Sequence, residues 1–121
     1  MRVMRKGEVA VDDMTNSPVF VGGKVSRQDL VGAETSKYFI FGFVEFGAGA
    51  RNKFHSHTSD QILFVTKGRG IVATEDEEVV VREGDTILIP VGEKHWHGAA
   101  PDSDFTHIQV RTSDSETQIL E

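Results

Sequence analysis

Cysteine is absent from all 121 residues. That excludes disulfides and thiolate metal sites, so any metal here is held by nitrogen or oxygen. A basic run is also missing and the formal net charge is −6, so neither nucleic acid nor an anionic membrane surface is an expected partner. The opening residues, MRVMRKGEVAVDDM, lack the apolar stretch a signal peptide requires. No segment approaches the roughly 18 consecutive apolar residues of a membrane helix. The expectation is a soluble, cytoplasmic protein. Helical stripes, internal repeats, linkers and low-complexity tracts are lacking as well.

What remains is a chain of short β-strand signals. Hydrophobic residues make up 38% and charged residues 26%, which is ordinary for a globular domain. The length suits a single domain, residues 1–121, with a core of its own. Residues 2–10 are read as a short first strand, and the cluster Asp12 to Pro18 as a turn. The strongest strand signal is Lys37 to Phe46, KYFIFGFVEF, which is apolar on both faces except at Glu45. Gln61 to Thr66 is the next, with Gln61, Leu63 and Val65 on one face and Ile62, Phe64 and Thr66 on the other. Lys67-Gly68-Arg69-Gly70 reads as a turn. Residues 71–74 and 79–82 read as a hairpin, followed by strands at 86–89, 94–98 and 105–110. Residues 111–121 are polar and read as a loose tail. Short strands separated by Gly and Asp turns predict an all-β sandwich or barrel. Strands apolar on both faces predict that one face meets a second subunit, so a homodimer is expected.

Two stretches carry the chemistry. The first, Gly47 to Gly68, is centred on His55-Ser56-His57 with Gln61 four residues later. Residues i and i+2 of a strand point the same way, so His55 and His57 can aim two imidazoles at one ion. Gln61 can return an amide oxygen to the same point from the next strand. The second stretch, residues 84–99, ends in Lys94-His95-Trp96-His97-Gly98-Ala99 and places His95 and His97 on one face. An isolated HxH pair would be weak evidence, because five histidines in this length bring such pairs together by chance.

The spacings do not stand alone. Gly49, His55, His57, Gln61 and Gly68 spell G-x5-HxH-x3-Q-x6-G, and Gly84, Pro90, Gly92 and His95 spell G-x5-PxG-x2-H. These resemble the two motifs of the cupin superfamily, whose fold is a double-stranded β-helix, a jelly-roll-like barrel. The chain departs from the usual pattern twice, with Gln61 in place of Glu and Ala99 in place of Asn. From about Phe20 to Val110 it is further similar to small single-domain cupins, including manganese-dependent cupin hydroxynitrile lyases and carboxymuconolactone decarboxylase-associated cupins. The resemblance implies a divalent metal held by His55, His57, Gln61 and His95 in a near-octahedral site. It implies manganese as the favoured ion, with iron, nickel, cobalt or zinc equally compatible with the donor set. It also implies pocket roles for His97 and His107, the latter in proton transfer.

Gln61 alters the charge of such a site. Three neutral histidines and a glutamate leave a divalent ion at about +1, whereas glutamine leaves it at about +2. A small, anionic substrate is therefore favoured. The simpler alternative is that Gln61 hydrogen-bonds beside a three-histidine site. Three functions are compatible: a metal-dependent lyase or isomerase acting on a small carbonyl or hydroxy compound, an iron-dependent dioxygenase, and a non-enzymatic ligand-binding barrel.

Overall fold

The computed structural model describes residues 1–121. It is all-β apart from one 3-10 turn, Lys6–Glu8. The strands are β1 (Asp12–Asp13), β2 (Phe20–Val21), β3 (Val25–Val31), β4 (Phe39–Phe46), β5 (Arg51–Asn52) and β6 (His55–His57). They continue as β7 (Gln61–Ala73), β8 (Glu78–Arg82), β9 (Thr86–Ile89), β10 (Trp96–Ala99), β11 (Phe105–Thr112) and β12 (Thr117–Ile119). No helix is long and apolar enough to cross a membrane.

One curled sheet runs in the order β1-β3-β4-β11-β7-β10-β5-β2, with β8 and β9 also paired to β7. β7 is the spine. Its first half, Gln61 to Phe64, lies between β9 and β11, and its second half lies between β8 and β10. The strand passes from one wall of the barrel to the other without a break. The turn expected at residues 67–70 is therefore a bend within a continuous strand. Two glycines permit it. Gly68 has φ +75°, and a side chain there would collide with the Asp104 carbonyl. At Gly70 an added Cβ would lie 2.6 Å from the Phe105 ring. The pairing with β11 slips at the same place, between Thr106 and His107, and such a slip sharpens the local bend.

The inner face separates into two zones. Val25, Val44, Phe46, Val65, Val72 and Phe105 belong to one apolar cluster. Phe46 closes it: its ring lies 6.1 Å from Phe105 on one side and 5.6 Å from His107 on the other. Beyond Phe46 the interior turns polar. Only 27 of 121 residues are buried, yet all five histidines are among them, along with Gln61, Asn52 and Gln109. Buried polar groups on this scale demand partners, since an unpaired one costs about 1–3 kcal/mol.

Both ends of the chain depart from their sequence reading. Residues 2–10 hold the 3-10 turn rather than a strand, and the Gln28 Nε2 donates to the Lys6 and Val9 carbonyls at 2.6 and 2.9 Å. Residues 111–121 are not loose. β12 pairs with β6, Leu120 N donates to the Phe54 carbonyl at 2.8 Å, and Glu121 pairs with Arg51 at 3.0 Å. The polar composition there reflects an exposed strand laid against the histidine segment.

Candidate metal centre

His55 and His57 alternate on β6 and both are buried, as the two-residue period requires. His95 is joined to His55 by a reciprocal backbone pair, at 2.9 and 3.0 Å, which brings the second motif onto the first. The His55 ring centroid lies 4.8 Å from that of His57 and 4.3 Å from that of His95. Gln61, at the start of β7, is buried beside them.

The hydrogen bonds decide which nitrogen each ring offers. His55 Nδ1 donates to the Lys53 carbonyl at 2.6 Å, and His95 Nδ1 to the Glu93 carbonyl at 2.8 Å. His57 Nδ1 lies 2.9 Å from Thr117 Oγ1, a hydroxyl that can accept its proton or donate to it. His55 and His95 are thereby held as the Nδ1–H tautomer with the Nε2 lone pair free, the arrangement that metal-ligating histidines adopt, and the Thr117 hydroxyl can hold His57 in the same form. Gln61 is fixed in the same sense. Its Nε2 donates to Gln109 Oε1 at 2.9 Å, and in that orientation the amide presents its oxygen to the interior. His57 Nε2, His95 Nε2 and Gln61 Oε1 are buried and have no hydrogen-bond partner. Three orphaned lone pairs converging in one polar interior fit a divalent cation.

By proximity alone another trio stands out. His55, His95 and His97 each offer a ring nitrogen, and these nitrogens lie within 4.8 Å of one another. His97, however, has both nitrogens engaged. Its Nδ1 meets His107 Nε2 at 2.9 Å, and its Nε2 meets Asn52 Nδ2 at 3.1 Å. One set of tautomers satisfies the whole row. Asn52 donates to His97, His97 donates to His107, and His107 Nδ1 donates to the Ile108 carbonyl at 3.2 Å. His97 lines the cavity, whereas His107 is 0% exposed and stands behind it.

Burial and mutual repulsion keep these rings neutral. Desolvation, followed by the charge of His95, lowers the His55 pKa to about 4. Desolvation, then His55 and Arg111, lowers that of His57 to about 3. His95 is lowered too, chiefly by burial. Desolvation takes His107 to about 4, and takes His97 well below the ordinary range with help from His107. At neutral pH all five are therefore uncharged, and the ligand set has lone pairs rather than protons to offer.

The site opens into a cavity of about 70 Å³ lined by Val19, Phe20, Val44 and the polar residues His55, His57, Gln61 and His97, among others. A groove of about 450 Å³ lies between β8 and β9; it is lined mainly by valine, leucine and isoleucine and also reaches His95. The smaller one is lined by His55, His57 and Gln61 and is the candidate reaction chamber.

Residues 42–109 match the Cupin_2 family, the cupin domain. The chain belongs to the cupin family. Among solved structures it is similar to a cupin-like protein from Thermotoga maritima, with a TM-score of 0.82 and 31% identity over 99% of this chain and 89% of that one. Among curated proteins it is 42% identical over 69 residues to an (R)-mandelonitrile lyase from Granulicella tundricola, covering 56% of this chain and 53% of that protein. It is 36% identical over 70 residues to an acireductone dioxygenase from Hahella chejuensis, covering 52% and 38%. The chain thus spans about half the length of the lyase and less of the dioxygenase.

Within this cupin, sequence reasoning missed three residues that hold the site in place. Asn52, Gln109 and Thr117 orient His97, Gln61 and His57. Gln109 had a signal, since it alternates with His107 on β11. Thr117 had none, because only the return of the tail brings it to His57, 60 positions away. Its removal is measurable. Thr117→Val keeps the shape and deletes the hydroxyl, so the His57 ring loses its tether. Metal affinity should fall about 10–100-fold, read by competition with a chelating dye. An unchanged affinity would mean that Thr117 only packs against the ring.

Proposed function

We propose that this cupin is a metal-dependent lyase or isomerase acting on a small carbonyl or hydroxy compound, resembling the hydroxynitrile lyases. The observation that carries the proposal is the set of orphaned atoms: His57 Nε2, His95 Nε2 and Gln61 Oε1, buried and convergent, with the back of each group already tethered. His55, His57, Gln61 and His95 would hold the ion, and manganese is the favoured one. When bound, the ion supplies a Lewis acid that polarises a substrate oxygen. His97 lines the cavity and acts as the acid–base group by exchanging the Asn52 contact at its Nε2 for the substrate, while His107 fixes its tautomer from behind. Val19, Phe20 and Val44 exclude bulk water from that exchange.

Metal analysis of the purified protein, followed by screening of apo and reconstituted protein against cyanohydrins and small hydroxy and keto acids, tests the reading. A second reading, an iron-dependent dioxygenase, is supported by the similarity to acireductone dioxygenase. Anaerobic assay separates the two, because an oxygenase stops without O2 and a lyase does not.

Gln61→Glu tests the charge of the site. Glutamate reaches as far and still offers an oxygen, so metal should be retained. The added negative charge weakens the Lewis acid and repels an anionic substrate, so kcat/KM should fall by about tenfold or more. Unchanged metal content with an unchanged rate would make Gln61 a neutral placeholder.

The homodimer is proposed as well, on the outer face. Ile62 pairs with Leu88 on one side and Val110 on the other, and Val110 pairs with Phe41, forming an apolar row facing away from the barrel. Leu88 is 62% exposed and Ile62 43%. Contiguous apolar surface of this kind marks an interface. Light scattering should give twice the chain mass at micromolar concentration, and Ile62→Lys should shift it toward monomer. A wild-type monomer at that concentration would remove the proposal.

A further inference from the structure

Arginine occupies the one place in the interior where the fold offers no obvious reason for it. Arg27 and Arg111 both line the histidine cavity, and no aspartate or glutamate does. Their position follows from the register. Arg111 is paired directly with Gln61, and Arg27 pairs with Val44, which pairs with His107. Directly paired residues project from the same face of a sheet, with Cβ atoms roughly 4.5–5.5 Å apart. Arg111 therefore stands beside Gln61 on the inner face.

The two guanidiniums are not equivalent. Arg27 Nε donates to Asp29 Oδ1 at 2.9 Å, so its charge is matched. Gly42, opposite Asp29, makes the room, since a Cβ there would lie 2.9 Å from the Asp29 Cα and 3.1 Å from its Oδ1. Arg111 makes no ion pair of its own and feels only the negative charge of Asp29, which Arg27 already engages. Its Nε is buried and makes no hydrogen bond. Two guanidiniums against one carboxylate leave one positive charge unmatched. Arg111 is close enough to His55 and His57 to help lower the pKa of each, which places its charge at the same chamber. A half-buried cation with a buried, open Nε–H is costly unless something pairs with it.

We propose that Arg111 is the carboxylate-binding residue of this pocket, and that the substrate is a small 2-hydroxy or 2-oxo acid whose carboxylate lies on Arg111 while its neighbouring oxygen faces the His55, His57, Gln61 and His95 donors. The inference rests on the reading of this cavity as the substrate site. It sharpens that reading, because a neutral cyanohydrin offers Arg111 a hydrogen-bond acceptor but no charge to match its own. The chamber volume of about 70 Å³ suits an acid of very few carbons. The planar fork of arginine suits a carboxylate in particular, through two parallel hydrogen bonds.

The test compares pyruvate with hydroxyacetone, its uncharged counterpart. Both are titrated calorimetrically into manganese-loaded and metal-free protein. Wild type should bind pyruvate at least tenfold more tightly than hydroxyacetone. Arg111→Gln should erase that preference while leaving manganese affinity unchanged or tighter, since a like charge near the ion has gone. Arg111→Lys should restore part of it, because the charge returns without the fork. Equal binding of the two ligands by wild type would overturn the proposal, as would a preference that survives in Arg111→Gln. Weaker manganese binding by Arg111→Gln would also overturn it, by making Arg111 a structural support of the donors. If wild type binds no manganese, the metal reading fails by itself. Arg111 is then judged on metal-free protein, where the pyruvate preference must persist in wild type and vanish in Arg111→Gln.

Discussion

His57→Ala should abolish stoichiometric metal binding, lowering affinity by more than ~100-fold, beyond the range expected for losing an outer tether alone. The ring is buried, its Nδ1 is held by Thr117 Oγ1 at 2.9 Å, and its Nε2 has no partner within the protein. Alanine removes that lone pair. A thermal readout accompanies the loss. A ligand that binds only the folded state stabilises it by about 2.7 kcal/mol at a hundred times its Kd. Wild type should therefore melt several degrees higher with manganese, and His57→Ala should melt at the same temperature with and without it. Full metal content in His57→Ala would shift the assignment to the His55, His95 and His97 trio, whose nitrogens lie within 4.8 Å of one another.

The converse variant is His97→Gln. Both nitrogens of His97 are engaged, one by His107 at 2.9 Å and one by Asn52 at 3.1 Å. A residue so occupied contributes no lone pair to an ion, so metal content should be unchanged. Turnover should fall by about 10²–10⁴-fold, the ordinary worth of a positioned acid–base group. Glutamine suits the test because it can still meet Asn52 or His107, which limits the cost of opening a buried hydrogen-bond row. His107→Gln should act more mildly and differently. It leaves His97 at the cavity but frees its tautomer, so the pH profile of kcat should move. Loss of metal from His97→Gln would show that His97 is a ligand. Retained metal with retained turnover would leave the row as packing.

The central motif could be read from sequence because its logic is local. A strand alternates by twos, so HSH at 55–57 had to aim two imidazoles one way. Gln61, Leu63 and Val65 face inward for the same reason, and Ile62, Phe64 and Thr66 outward. The bend of β7 was misread as a turn at Gly68 and Gly70. Glycine signals freedom of the backbone, and only Asp104 and Phe105, packed against those two positions, show that the freedom serves a close approach. The tail was misread because polar composition does not reveal whether a segment has a strand to pair with.

Residue type and spacing were enough to predict an all-β sandwich or barrel with motif histidines aimed one way and no cysteine, since these follow from periodicity and from what is present in the chain. The direction of each lone pair was decided elsewhere. Whether His57 offers Nε2 depends on Thr117, 60 positions away, and whether Gln61 offers oxygen depends on Gln109, 48 positions away. That Arg27 and Arg111 meet at one cavity beside Gln61 depends on the register of four strands, β3, β4, β11 and β7. Imidazoles, amides and guanidiniums keep the same chemistry anywhere in a chain, but which of their atoms is left free is set by the neighbours that hydrogen-bond the others. Those neighbours become adjacent only when the sheet closes.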